Sequence, residues 1–273
     1  MGGKKYSFGI STAVDYTVPI VPILEAAAAC GFEFISFGAD PKHIQFNDPE
    51  GFRRIMRTVT DLGLHLASAH VPFGTAYDIA DPDDDRRRQA IDRVAGFVET
   101  CRERAIPAVI LHPHHYLSVP WETACDLASD SLNRLLGVIG EGIEIIVENL
   151  PDHRGSRICS RILDTFDSSQ IGWCYDSSHE NMSGSPRHLL ESYYDRIVTT
   201  HLSDNHGLSD EHLIPGDGNI DWPGLRQWLD KTPGFTRVLF EVGTGDKLNE
   251  PVDDFIKRAA DAAAAIFAGP NSA

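Results

Sequence analysis

Short apolar runs alternate along the chain with longer stretches whose apolar positions recur every three to four residues. This is the pattern of strands covered on both faces and joined by amphipathic crossover helices. Eight runs read as strands: 6–11, 32–37, 64–70, 108–112, 143–148, 171–175, 197–201 and 237–241. Between them 20–30, 84–104 and 121–139 read as helices, and 252–267 closes the chain as another. Gly31, Gly63 and Gly140 each follow a helical stretch, where a residue free to turn left-handed ends a helix at no steric cost. Eight βα units predict an α/β fold, a (β/α)8 TIM barrel, in a single domain over 1–273. No linker rich in Pro, Gly or Ser divides it, and the Ala-rich tail from Ala259 with the final five residues reads as frayed.

Composition narrows the partners. The chain of 273 residues has 24 Lys and Arg against 40 Asp and Glu, a formal charge of −16. That charge opposes broad attraction to nucleic acid or an anionic membrane. No apolar run is long enough to span a bilayer and the start lacks the apolar stretch of a signal peptide, so a cytoplasmic, non-membrane protein is expected. Five cysteines without CxxC spacing indicate neither a disulfide framework nor a thiolate zinc site, and thiolates are expected to be absent from any metal site.

The candidate chemistry sits where the strands end. His70 and His112 each close an apolar run and lead into a Pro-containing turn, and imidazole is a common ligand of zinc and its first-row neighbours. His114 and His115, just beyond, read as facing substrate or solvent. Glu148 and Glu241 each end an apolar strand, where a carboxylate is costly unless it is paired or bound to a cation. Asp176 ends the sixth strand with His179 three residues on, and His201 ends the seventh. Asp210 and His212 then alternate along an extended stretch and can both reach one ion. In a barrel all strand C-termini open on one face, so these scattered residues converge. Arg154 and Arg157 read as loop arginines after the fifth strand, and Phe73, Tyr116 and Trp222 as an apolar wall for a sugar ring or as packing under loops.

The chain resembles the xylose isomerase-like TIM barrels, a family holding sugar isomerases and epimerases as well as endonuclease IV-type abasic-site nucleases. The stretch from His201-Leu202-Ser203-Asp204-Asn205 through Pro215-Gly216-Asp217-Gly218-Asn219-Ile220-Asp221-Trp222 is similar to the sugar phosphate isomerase/epimerase branch. The resemblance implies a divalent metal (Mn, Zn, Co or Mg) on Glu148, Asp176, His201 and Glu241, with Glu148 and Glu241 as catalytic proton carriers. It also places His70, His112, His179, Asp210 and His212 where the nuclease branch has its remaining ligands, so they stand as additional metal or substrate residues. The nuclease branch carries a lysine soon after the seventh-strand histidine, whereas Ser203-Asp204-Asn205-His206 stands here. The expected activity is therefore isomerisation or epimerisation of a sugar, cyclitol or related polyol, phosphorylated or not, through a metal-stabilised enediolate. The alternative is a metal-dependent phosphodiesterase with a multi-metal cluster. The expected partner is a small carbohydrate rather than nucleic acid, and a homo-oligomer stays open.

Overall fold

The computed structural model describes residues 6–115, 118–184, 187–243 and 248–267. Its strands are β1 (Ser7–Ser11), β2 (Phe34–Phe37), β3 (His65–His70), β4 (Ala108–Leu111), β5 (Glu144–Glu148), β6 (Gly172–Asp176), β7 (Ile197–His201) and β8 (Arg237–Phe240), each within two residues of the boundaries expected from sequence. All paired neighbours are parallel, in the order β7-β6-β5-β4-β3-β2-β1-β8. The ring closes at β7 and β8, where a short bridge joins Leu202 to Phe240. A side chain completes the seam: Thr200 Oγ1 donates to Leu239 O (3.1 Å) and accepts from Leu239 N (3.0 Å).

The helices are α1 (Ile20–Ala29), α2 (Pro49–Asp61), α3 (Asp84–Glu103), α4 (Trp121–Val138), α5 (His153–Thr165), α6 (Ser177–Met182), α7 (His188–Tyr193), α8 (Trp222–Lys231) and α9 (Val252–Phe267). Their starts follow local chemistry. Asp48, Asp83, Asp152, Asp176 and Asp221 each cap a helix by accepting a backbone N–H, which satisfies donors that have no partner inside the helix.

Two apolar layers fill the space between strands and helices, and a small cluster of Ala108, Ile110, Ile146 and Cys174 plugs the barrel below the strand ends. Strands β2, β4 and β6 are buried along their whole length, as crossover helices on the outside require. No helix among the described residues is long and apolar enough to cross a membrane.

Three expectations change. Gly31 and Gly63 take positive φ, but after α4 the left-handed residue is Gly142 rather than Gly140, because the chain leaves that helix in an extended conformation at Ile139. The stretch from Ala259 is not frayed up to Phe267: Ala259, Ala263 and Phe267 are buried, and the Phe267 ring packs edge-on to Tyr6 and Phe240. Arg154 and Arg157 lie on α5 rather than in a loop. The final residues and Tyr116 lie outside the described residues.

Candidate metal centre

Parallel strands deliver the candidate residues to one end of the barrel. His70, Glu148, Asp176 and His201 are the last residues of β3, β5, β6 and β7, while His112 and Glu241 directly follow β4 and β8. His179 comes from α6, one turn beyond Asp176, whose Oδ1 accepts the His179 N–H (2.6 Å). The capping contact that starts this short helix also fixes the spacing of the two residues.

All nine candidates converge. Ligand atoms of Glu148, Asp176, His201 and Glu241 lie within 4.8 Å of one another, as do those of His70, His112 and Glu148, and those of His179, Asp210 and His212. Glu148 belongs to two of these groups and is 1 % exposed. Its Oε2 lies 3.3 Å from His70 Nε2, 3.6 Å from His112 Nε2 and 3.0 Å from His201 Nδ1, and Glu241 Oε2 is also 3.0 Å from that Nδ1. Asp210 Oδ2 lies 3.1 Å from His179 Nε2 and 2.8 Å from His212 Nε2. Asp210 and His212 meet through a left-handed turn at His212 (φ 46°) rather than by simple alternation.

Backbone carbonyls set the ring tautomers. His70 Nδ1 donates to Val71 O (2.7 Å), His179 Nδ1 to Asn149 O (2.8 Å) and His212 Nδ1 to Glu241 O (3.3 Å). A carbonyl only accepts, so Nδ1 carries a proton in each ring and Nε2 is the nitrogen turned toward the carboxylates, the orientation that metal-binding histidines take. Asn149 braces the same region, donating to Asp176 O and accepting from Asp176 N and Trp173 Nε1.

So many carboxylates in one dry pocket need positive charge. Burial pushes Asp176 up to about 7 against the pull of His179. Burial works the same way on Glu148 and Glu241, but His201 together with His112 and His179 at Glu148, and with His212 at Glu241, outweighs it and holds both below the ordinary carboxylate value. His179 is driven well above its ordinary value because Asp176 and Asp210 overcome its burial. Protons thus do the balancing that a divalent ion would do. Glu148 Oε1, Asp176 Oδ2 and His201 Nδ1 are buried without a hydrogen-bond partner, and buried polar atoms left so are costly. Orphaned donor atoms in a mixed imidazole and carboxylate shell fit a divalent cation, with Mn, Zn, Co and Mg all compatible.

The β7–α8 loop is anchored from below by Asp204, which is fully buried. It accepts from Gly216 N (2.8 Å), Ile220 N (3.1 Å), Trp222 Nε1 (2.7 Å) and Asn205 N (2.9 Å). Gly218 lies so close that a Cβ there would come within 2.3 Å of Asp204 Oδ1 and 2.4 Å of Asn205 O. Asp204→Ala strands these donors and is expected to cost about 3 kcal/mol or more, with loss of the Asp210 and His212 contribution to cation binding. Thermal melts and metal titration of the variant check both; an unchanged melting temperature would refute the anchor.

Some residues lie elsewhere than sequence suggested. Cys174, on β6, stands with Glu148 and His201 in one potential ligand group, so a sulfur lies at the floor of the centre after all; burial pushes its thiol up to about 12, leaving it neutral. A period-2 reading of β6, which puts residues 174 and 176 on one face, carried that signal. His114 does not face solvent: it is 5 % exposed, with neither ring nitrogen partnered. Trp222 packs under the loop on Asp204, whereas Phe73 is 60 % exposed and stacks on the His112 ring at 5.3 Å, an open aromatic face at the mouth.

Comparison with known proteins agrees with the architecture. The uncharacterized protein y4fM of Sinorhizobium fredii is 25% identical over 250 residues, covering 80% of this chain and 79% of that one. A probable endonuclease 4 of Natranaerobius thermophilus is 27% identical over 179 residues, covering 57% and 62%. Among solved structures, a D-tagatose 3-epimerase-like protein superposes with a TM-score of 0.76 at 22% identity, covering 95% of both chains. The IOLI protein with a bound zinc atom superposes at 0.78 and 17% identity, covering 95% of this chain and 97% of that one. The family model for xylose isomerase-like TIM barrels matches residues 24–266, and the chain belongs to that family.

Proposed function

We propose that the protein is a metal-dependent isomerase or epimerase of a sugar, cyclitol or related polyol. One observation carries the reading: carboxylates from two different strand ends, Glu148 and Glu241, meet at one nitrogen of His201 (3.0 Å each). A proton that must leave one face of a carbon and be replaced on the opposite face needs two such groups, one on each side. Glu148, Asp176, His201 and Glu241 would hold the cation, which when bound supplies Lewis-acid stabilisation of negative charge on a substrate oxygen. Glu241, the more open of the two carboxylates at 12 % side-chain exposure, takes the proton from the substrate face nearer the mouth. Glu148, enclosed by His70, His112 and His201, exchanges a proton with the substrate on the inner side. His70, His112 and Phe73 form the rim against which a ring packs. The D-tagatose 3-epimerase-like neighbour supports a carbohydrate as substrate.

A second reading, phosphodiester hydrolysis at several cations, is favoured by the flanking groups: His70, His179 and His212 already turn Nε2 toward carboxylates. The endonuclease 4 relative points the same way. Incubation in deuterium oxide with a panel of ketoses and inosose-like cyclitols, followed by NMR, separates the two. Deuterium is expected at a carbon next to the carbonyl of at least one substrate. Cleavage of abasic DNA with three ions bound per chain, and no exchange into any sugar, would replace the first reading by the second.

A further inference from the structure

The candidate cation ligands come from β3 to β8 and the loops after them; among the described residues β1 and β2 supply none. On that side the mouth is closed by the β1–α1 loop, which is tied to the stretch after β8. Asp15, 2 % exposed, accepts Thr17 N and Thr17 Oγ1 (2.7 Å each) on one oxygen and Leu248 N (2.9 Å) on the other. A Cβ at Gly243 would collide with Val14 O, so the two loops also touch nearer the strands. Glu241 stands two residues before Gly243, and β1 pairs with β8 through Ile10 and Phe240. The β1–α1 loop therefore flanks Glu241.

Tyr16, next in this loop, is half-buried and held on two sides. Its ring packs on that of His43 at 4.7 Å, and His43 is itself fixed by donating from Nε2 to Val18 O (2.8 Å). Its hydroxyl seats against Gly38, where a Cβ would collide with it, and accepts from the backbone of Asp40 and Ala39. Burial first, and the Glu241 carboxylate next, push the phenol up to about 12, so it stays protonated. Of the charges acting on it Glu241 is the strongest, ahead of Asp40. A phenol oxygen that accepts from the backbone still has an O–H to give, and among the described residues no side chain takes that proton up. The neighbouring hydroxyls differ: Ser11 and Thr12 are buried, and their oxygens accept from Ala13 N (3.2 Å) and Gly38 N (3.0 Å).

We propose that Tyr16 determines specificity at the metal centre, its hydroxyl donating to a hydroxyl oxygen of the bound sugar or polyol beside Glu241, on the side that β1 and β2 close. The proposal rests on the carbohydrate reading of that centre and adds which end of the substrate is selected. A phenol that donates stands near a carboxylate that accepts, and a substrate hydroxyl, being both acceptor and donor, satisfies the two together. A phosphate in the same place would meet the Glu241 charge at short range, so the end of the substrate beside Tyr16 is uncharged. A hydroxyl pointing the wrong way would leave the Tyr16 O–H without an acceptor in a half-buried place, which is how a single donor discriminates between epimers.

Calorimetric titration of the full-length, manganese-loaded protein with D-fructose, D-tagatose, D-psicose and D-sorbose, ketoses that differ only in the direction of two hydroxyls, tests this. The wild type is expected to bind one of them more tightly than its epimers. Y16F keeps the ring on His43 and removes only the donor; it is expected to weaken the preferred ketose by about tenfold and to bring the epimers close to it, with bound manganese and melting temperature unchanged. Wild-type affinity and preference in Y16F overturn the proposal, as do an equal loss for all the ketoses, which marks a packing effect, and the absence of saturable ketose binding to the wild type. The isomerase reading is scored separately by deuterium exchange. Exchange that persists while Y16F keeps the wild-type preference removes only the role of Tyr16, whereas a preference that depends on Tyr16 without any exchange removes only the isomerase reading.

Discussion

Glu148→Gln is expected to lower turnover by about three orders of magnitude or more, because in the proposed mechanism one substitution removes a proton carrier and a ligand charge together. The position explains the size of the effect. Glu148 is enclosed at the hub of the centre, with three of its histidine neighbours, His70, His179 and His201, within 3.3 Å. Gln preserves the shape while losing the charge, and circular dichroism with a thermal melt shows whether the barrel survives. Glu241→Gln carries the same test at a more open position: its side chain is 12 % exposed, and the strand beneath it is untouched. Activity near wild type in either variant, with the cation still bound, rules out proton transfer by two glutamates.

Removing the cation is expected to make stability fall as pH rises. Asp176, pushed up to about 7 by burial, keeps a proton near pH 6 that the unfolded chain, at its ordinary 3.8, has already released. Raising the pH through about 7 strips that proton and leaves a bare carboxylate in a dry pocket, so the folded state loses free energy over this window. His179 and His201, both raised well above the ordinary 6.5 by neighbouring acids that outweigh burial, act in the same sense: their contribution is full below 6.5 and is lost as the pH rises from there to their folded values. Glu148 shifts the other way, but its contribution is lost only on acidification below the usual carboxylate range, outside this window. Chelated protein is therefore expected to melt at a lower temperature near pH 8 than near pH 6, by on the order of 5 °C. Added manganese or zinc is expected to restore most of the difference, since the ion replaces the protons, and Asp176→Asn to flatten the profile. A melting temperature that does not change with pH over this range, with or without metal, would show that these groups do not balance one another as described.

How much of this was legible in the sequence varies by residue. Strand ends were legible because a parallel barrel writes each strand as an apolar run and stops it with a polar residue; His70, Glu148 and His201 stand at those stops. The β7–α8 loop was legible only in part. Asp210 and His212 announce themselves by residue type, but their meeting depends on the left-handed turn at His212 and on Asp204 gathering four donors beneath them. Neither feature has a local pattern. Cys174 was missed for a different reason: a cysteine within an apolar strand reads as packing, and only its alternation with Asp176 places it on the inner face. The burial of His114 depends on α5 closing over it. Gly155, whose Cβ would stand 3.3 Å from His114 Nε2, is the partner across forty residues of sequence.

The central claim, a cation held by Glu148, Asp176, His201 and Glu241, is tested most directly by elemental analysis of protein dialysed against manganese or zinc and then freed of excess ion. At least one ion per chain is expected in the wild type, retained in His112→Ala and lost in Asp176→Asn. No stoichiometric ion in the wild type, together with activity that survives a strong chelator, would contradict it.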